Sequence, residues 1–104
     1  MKNIFFLIIF AASLLPATRA TAQIVTIPDA NFKYVLLHGA CVDTNSDNIG
    51  DTDADTDNDG EIQVSEALTV IGLNITMQNI SDLTGIESFS NLQHLFCKNN
   101  NITS

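Results

Sequence analysis

The sequence has few basic residues, few cysteines and no tryptophan, and these shortages exclude several classes of protein. Only four of its 104 residues are Lys or Arg, against twelve Asp or Glu, which gives a net charge of −8. Such a chain lacks the cationic surface that neutralises the phosphates of a nucleic acid. Two cysteines allow at most one disulfide, so the chain is not a disulfide-built scaffold. The length allows at most one small domain.

Long apolar runs are also scarce, and the one present is the twelve-residue segment Ile4–Leu15. Twelve residues are too few to span a bilayer but suit the apolar region of a secretory signal. Lys2 precedes the run, and Ala20–Ala22 has the small-x-small form of a signal-peptidase site. We therefore predict a signal peptide over residues 1–22, a secreted or cell-surface protein, and no membrane span after cleavage. An uncleaved membrane anchor is the alternative, which the short run disfavours.

One amphipathic helix is predicted near the start of the mature chain, over Pro28–His38. Phe32, Val35 and Leu36 have the i, i+3, i+4 spacing of a single helical face. Proline in the first turn and Gly39 just after the last residue are typical start and stop signals.

Eight of the twelve acidic residues lie between Asp43 and Glu61, and their spacing indicates a metal site rather than a solvated linker. Residues 55–66 (DTDNDGEIQVSE) satisfy the EF-hand calcium-loop pattern at every constrained position. Gly60 permits the sharp turn of such a loop, and Ile62 is expected to anchor it on the core. The predicted ligands are Asp55, Asp57, Asp59, Glu61 through its backbone carbonyl, Gln63 directly or through water, and Glu66 as the bidentate closing ligand.

The loop resembles that of an EF-hand, but no amphipathic helix precedes it, so the resemblance implies a structural Ca²⁺ site rather than a sensor. The upstream segment Asp43–Asp55 resembles the Asp-rich calcium repeats of thrombospondin type 3. Asn48 stands where those repeats prefer glycine, and asparagine tolerates the same left-handed conformation. The resemblance implies a second ion, with one ion only as the alternative. Its ligands would be Asp43, Asn45, Asp47 and Asp51, with Asp53 shared between the two sites.

An internal repeat follows, in which Val70–Ile80 superposes on Leu92–Ile102 with a period of 22 residues. The second copy matches the leucine-rich-repeat consensus at every fixed position, with Cys97 in a leucine position. Asn100 is expected to bond backbone groups that the coil would otherwise leave without partners. A disulfide from Cys41 to Cys97 is the alternative to two free thiols.

The period and the segment Asn79–Leu83 resemble the internalin type of repeat, in which a helical cap precedes the first coil. The order of segments resembles the N-terminal part of large secreted bacterial leucine-rich-repeat proteins. The resemblance implies an α/β solenoid: a helical cap over residues 23–42, Asp-rich calcium loops over 43–66, and about two incomplete repeats over 67–104. Because two coils are too few to bury a solenoid core, we expect a longer protein.

Recognition in such families uses the concave strand face, which implies a protein or glycan ligand. The candidate residues are Asn74, Thr76, Phe96 and Lys98, with His94 near the edge. For any one of them, an exposed side chain without a ligand is the alternative. No catalytic motif is present, so we predict a calcium-stabilised binding protein and not an enzyme. The alternatives are an EF-hand or dockerin-like calcium-binding interaction module, and a non-catalytic appendage of a larger secreted enzyme.

Overall fold

Short helices and strands alternate with long loops in this chain. The computed structural model describes residues 23–103, so the predicted signal peptide lies outside the described residues. The elements are α1 (Ala30–His38), β1 (Val42–Asp43), α2 (Val64–Ala67), β2 (Gly72–Asn74), a 3-10 turn (Ile86–Ser88) and β3 (His94–Phe96). Neither helix in this range has the length and apolar character needed to cross a bilayer.

Helix α1 is the helix that the sequence predicts over Pro28–His38, and it begins at Ala30 because Asp29 caps it. The Asp29 Oδ1 atom accepts hydrogen bonds from the backbone N–H of Asn31 at 2.9 Å and of Phe32 at 3.0 Å. Such a cap satisfies amides that have no partner inside the helix. The buried face of α1 carries the three predicted residues, Phe32, Val35 and Leu36.

The three strands form one mixed sheet in the order β1-β2-β3. Strand β1 is antiparallel to β2, and β2 is parallel to β3. The parallel pair aligns residues 22 apart, such as Leu73 with Leu95 and Asn74 with Phe96. This is the period of the sequence repeat. One sheet is all that the described part of the chain contains, so the solenoid class stays a prediction.

Asn100 joins the two copies of the repeat through hydrogen bonds to the backbone. Its Oδ1 accepts from the N–H of Gln78 at 2.9 Å and of Ile80 at 3.1 Å. Its Nδ2 donates to the carbonyl oxygens of Ile75 at 2.8 Å and Cys97 at 3.0 Å. The expected role of Asn100 is therefore confirmed.

One apolar core joins α1, the loop of residues 55–66 and the first copy of the repeat. Ile62 is 0 % exposed, which confirms its expected role as the anchor of the loop. Burial of a side chain of this size contributes about 1.5–3 kcal/mol, enough to hold the loop on the core. The core is less complete in the second copy of the repeat. Leu73 is 1 % exposed, whereas Leu95, its partner in the β2–β3 register, is 38 % exposed.

The two cysteines are free thiols, so the disulfide alternative is wrong. Cys41 is buried and its Sγ donates to the carbonyl oxygen of Val35 at 3.3 Å, while Cys97 is half-buried. Burial raises the pKa of the Cys41 thiol to about 12, which keeps it protonated.

Candidate calcium site

The backbone of residues 55–66 curls around its first residue, Asp55. Asn58 and Gly60 adopt left-handed conformations, with φ of 57° and 83°, as a tight turn requires. The turn directs the backbone N–H of Asp59 and of Gly60 to the two carboxylate oxygens of Asp55, at 3.3 and 3.0 Å. The turn that the sequence predicts at Gly60 is therefore confirmed.

This curl brings four carboxylates together, those of Asp55, Asp57, Asp59 and Glu66. One oxygen from each lies within 4.8 Å of the oxygens of the other three. Asp55 and Glu66 are 4 % and 6 % exposed, whereas Asp57 and Asp59 are exposed. A donor set of oxygen atoms alone suits a hard cation such as Ca²⁺. We call these four residues the carboxylate cluster.

Two members of the carboxylate cluster, Asp57 and Asp59, have pKa values shifted in opposite directions. Desolvation, followed by the proximity of Asp55, Asp59 and Glu66, raises the pKa of Asp57 to about 6. Asp59 differs because the backbone N–H of Glu61 donates to its Oδ1 at 3.0 Å, which holds its pKa below the ordinary value. Of these two carboxylates, that of Asp57 is therefore the less stabilised in its ionised form.

Both oxygens of Glu66 are oriented by hydrogen bonds from the loop itself. Its Oε2 accepts from the Thr56 hydroxyl at 3.0 Å and from the N–H of Asp57 at 3.2 Å. Its Oε1 accepts from the N–H of Gln63 at 3.0 Å. The carboxylate is thereby held among the residues of the loop, while its role as the closing ligand stays a prediction. Sequence reasoning missed Thr56, because the loop pattern leaves its position unconstrained.

Gln63 adds an unsatisfied acceptor to the site. Its Oε1 atom is buried and faces the backbone N–H of Glu66 in a capping box at the start of α2, but it forms no hydrogen bond of normal geometry, whereas its Nε2 donates to Asp59 Oδ2. Buried polar atoms are normally paired, so this carbonyl oxygen beside four carboxylates is an acceptor that a bound cation would satisfy. The cavity at this point has a volume of about 340 Å³. Its lining residues are Ile24, Thr56, Asp57, Asp59, Gln63, Ser65 and Glu66.

The side chain of Glu61 is not among the converging carboxylates, and its contribution through the backbone carbonyl stays a prediction. Its Oε1 lies 2.8 Å from the Nζ of Lys33 on α1. Both side chains are about a third or more exposed, so the pair contributes at most about 1 kcal/mol. The ion pair of Lys33 was not predicted from the sequence either, because only the fold brings α1 beside the loop.

The upstream acidic loop brings Asp43, Asp47 and Asp51 together, with carboxylate oxygens within 4.8 Å of one another. The side chain of Asn45, a fourth predicted ligand, accepts from the N–H of Asp47 at 3.3 Å. Asp53, predicted to be shared between the two sites, belongs to neither group of converging carboxylates.

Asp43 is the buried member of this upstream loop, and backbone amides surround it. Its Oδ1 accepts from the N–H of Asn45 at 3.1 Å and of Ser46 at 2.8 Å, and its Oδ2 from that of Asn48 at 2.7 Å. Burial would raise the pKa of Asp43, but these amides outweigh it, so the pKa lies below the ordinary value. Asn48 has a φ of 69°, which confirms that it takes the left-handed position expected of it.

The four residues predicted to recognise a ligand lie side by side on β2, β3 and the residues after them. Asn74 is in register with Phe96, and the alignment continues to Thr76 and Lys98. Alternate residues of a strand point to one face, so the four side chains share one side of the β2–β3 pair. Lys98 is exposed and the other three are half-buried, while His94 is exposed at the start of β3.

No protein-family model matches the chain, and no curated protein or solved structure matches it either. What this protein does is therefore inferred from its own residues, of which the carboxylate cluster and Gln63 are the most informative.

Proposed function

We propose that this chain is a calcium-binding protein whose 55–66 loop holds one structural Ca²⁺. The observation that carries the proposal is the carboxylate cluster with the buried, unpaired Oε1 of Gln63 beside it. Within residues 23–103, none of these four carboxylates forms an ion pair, because Lys33 pairs with Glu61 instead. A divalent cation would satisfy the acceptors and remove the repulsion together.

Calcium fits this donor set because it binds six to eight oxygens in flexible geometry. The ligands would be the side chains of Asp55, Asp57, Asp59, Gln63 and Glu66, with the backbone carbonyl of Glu61. Ile62 anchors the same loop on the apolar core, so an ion that orders the loop also stabilises the core. The free energy of calcium binding is then part of the free energy of folding.

We further propose that this site stabilises the N-terminal cap of an exported leucine-rich-repeat protein, one that binds a protein or a glycan through Asn74, Thr76, Phe96 and Lys98. Two features support the repeat class: the 22-residue register of β2 with β3, and the backbone hydrogen bonds of Asn100. No catalytic role is proposed for any residue of the chain.

Calorimetric titration of the purified protein with Ca²⁺ tests the calcium proposal, with circular dichroism recorded before and after EDTA. We expect one tightly bound ion and a gain of ordered structure on binding. Asp55→Asn should abolish the binding heat, while Asp53→Asn, a matched change outside the carboxylate cluster, should not. Absence of binding heat in the parent protein would overturn the proposal.

A further inference from the structure

The first described residues of the chain, Gln23–Val25, form a short antiparallel bridge with the calcium loop. Ile24 is bridged to Gln63. On one side of this bridge the N–H of Val25 donates to the carbonyl oxygen of Ile62 at 2.8 Å. On the other side the N–H of Val64 donates to the carbonyl oxygen of Gln23 at 2.9 Å. The two hydrogen bonds therefore bracket Gln63.

The bridge is fixed on the core and also reaches the site. Val25 and Ile62, which share one of the two hydrogen bonds, are 4 % and 0 % exposed. Ile24, which points the other way, is about half exposed and lines the cavity of the carboxylate cluster. It is the only apolar side chain among the residues that line this cavity. The segment is thus part of the wall of the site.

The residues of this bridge and those just after it also pack against Gly85, which lies in the connection between β2 and β3. Gly85 there has a φ of 107°, and a Cβ atom at this position would lie 2.9 Å from the carbonyl oxygen of Thr26 and 3.0 Å from Ile27 Cγ1. Only glycine permits this conformation together with such close packing. Residues 23–27 are therefore held between the calcium loop and the repeats.

We propose that Gln23–Val25 is a positioning strand of the calcium site, which fixes the backbone of residues 62–64 and so places the ligands Gln63 and Glu66. The link to Glu66 is direct, because the N–H of Gln63 donates to Glu66 Oε1 and the N–H of Glu66 donates to the carbonyl oxygen of Gln63, both at 3.0 Å. A loop that is already held in its bound conformation loses less entropy when the ion binds. This inference rests on the proposed calcium function.

The variant Val64→Pro tests the positioning strand, because it removes the backbone N–H that bonds to Gln23 together with the valine side chain. Proline is tolerated at the first residue of a helix, which Val64 is, and it requires an extended preceding residue. Gln63 meets this requirement, with φ −80° and ψ 155°. Val64→Ala is the matched control, since it also loses the valine side chain but keeps the N–H.

We expect the calcium Kd of Val64→Pro, measured by calorimetry on the full chain, to be about fivefold weaker than that of Val64→Ala, the effect of one lost hydrogen bond. A strand with a merely structural role would lower the unfolding midpoint in EDTA but leave the two Kd values equal. Equal Kd values would overturn the positioning strand alone. A parent protein that binds no Ca²⁺ would overturn the proposed function as well.

Amide hydrogen exchange on the unaltered protein gives an independent test if Val64→Pro does not fold. The amides of Val25 and Val64 should become strongly protected when Ca²⁺ is added, because ion and strand hold the same backbone from two sides. Exchange of the Val64 amide at the rate of an open chain in the calcium-bound protein would overturn the proposal.

Discussion

The two acidic loops, residues 43–54 and 55–66, share a backbone turn at an offset of twelve residues but differ in the side chains that the turn brings together. Ser46 and Asn58 are left-handed at corresponding positions, with φ of 66° and 57°, and so are Asn48 and Gly60, with φ of 69° and 83°. In each loop, the second of these residues donates its N–H to the first aspartate, at 2.7 Å in one and 3.0 Å in the other.

The two loops differ at the positions of the predicted calcium ligands. Asn45 stands in the upstream loop where Asp57 stands in the downstream one, and the buried Ala54 stands in place of Glu66. The upstream loop thus lacks a fourth converging carboxylate and its closing bidentate ligand. Its buried Asp43 is kept ionised by hydrogen bonds from backbone amides.

The same turn can therefore be stabilised in two ways. Where the carboxylates are few, backbone amides suffice and the pKa of the buried aspartate falls. Where four carboxylates meet, the pKa of Asp57 rises, chiefly through desolvation, while a backbone amide still lowers that of Asp59. From the four converging carboxylates of one loop and the three of the other, we propose that the downstream loop depends on a cation and that the upstream loop does not.

The largest expected effect comes from removing the closing ligand of the downstream loop. Glu66→Gln should weaken calcium binding on the order of a hundredfold, because ligand charge sets the affinity of such loops. Calorimetry measures the loss. Asp51→Asn, in the upstream loop, is the control and should leave this affinity unchanged. An equal loss in both variants would contradict the inferred difference between the loops.

Neutralising Asp57 should have opposite effects with and without calcium. In EDTA, Asp57→Asn relieves repulsion within the carboxylate cluster, so its thermal unfolding midpoint should lie above that of the parent protein. In calcium the order should reverse, because the variant has lost a charged ligand. Asn45→Asp supplies the reciprocal change in the upstream loop and should lower the midpoint in EDTA. A lower midpoint for Asp57→Asn in EDTA would show that the cluster is not strained by its charge.

Asp29 lies outside both loops, and like Asp43 it has a pKa lowered by backbone amides. The stability of the protein should therefore depend on pH through Asp29. The N–H of Phe32 lowers its pKa most, burial opposes this, and the amides of Ser81, Asp82 and Asn31 lower it further. The folded pKa thus lies below the ordinary 3.8. The stabilisation is therefore complete above pH 3.8 and is lost as the pH falls through the folded value.

Asp29→Asn measures this contribution. At pH 7 it should lower the free energy of unfolding by about 1 kcal/mol, as expected for a helix cap. Urea unfolding in EDTA at several pH values should show the gap between parent and variant closing below pH 3.8. Comparison with the variant at each pH removes the contribution of the other acids. A gap of constant size down to pH 3 would refute the role of the ionised carboxylate.

Sequence reasoning succeeded where local chemistry decides the structure. Helix α1 follows from apolar periodicity, the turn at Gly60 from the loop pattern, and the β2–β3 register from the 22-residue repeat. Each of these depends on residues close in sequence or on a repeated unit.

The contacts that sequence reasoning missed join distant segments. Nothing in the sequence of Gln23–Val25 specifies pairing with residues 62–64, and the ion pair of Lys33 with Glu61 exists only because α1 packs beside the loop. Such contacts are set by the shared core, which a pattern of local preferences does not encode. The twelve-residue offset between the two acidic loops was also missed, although the left-handed Asn48 was expected, because Ala54 stands where the downstream loop has Glu66.

The smallest expected effect concerns Asp51, and it decides whether the upstream loop binds an ion at all. Its Oδ2 accepts from the N–H and the hydroxyl of Thr44, at 2.9 and 2.8 Å, on the protein surface. Asp51→Asn should lower the free energy of unfolding by no more than about 1 kcal/mol, the contribution of such hydrogen bonds. The loss should be the same in EDTA and in calcium, because no ion at this loop contributes to it. A larger loss in calcium would mean that the upstream loop binds an ion after all, and that its amides and a cation act together.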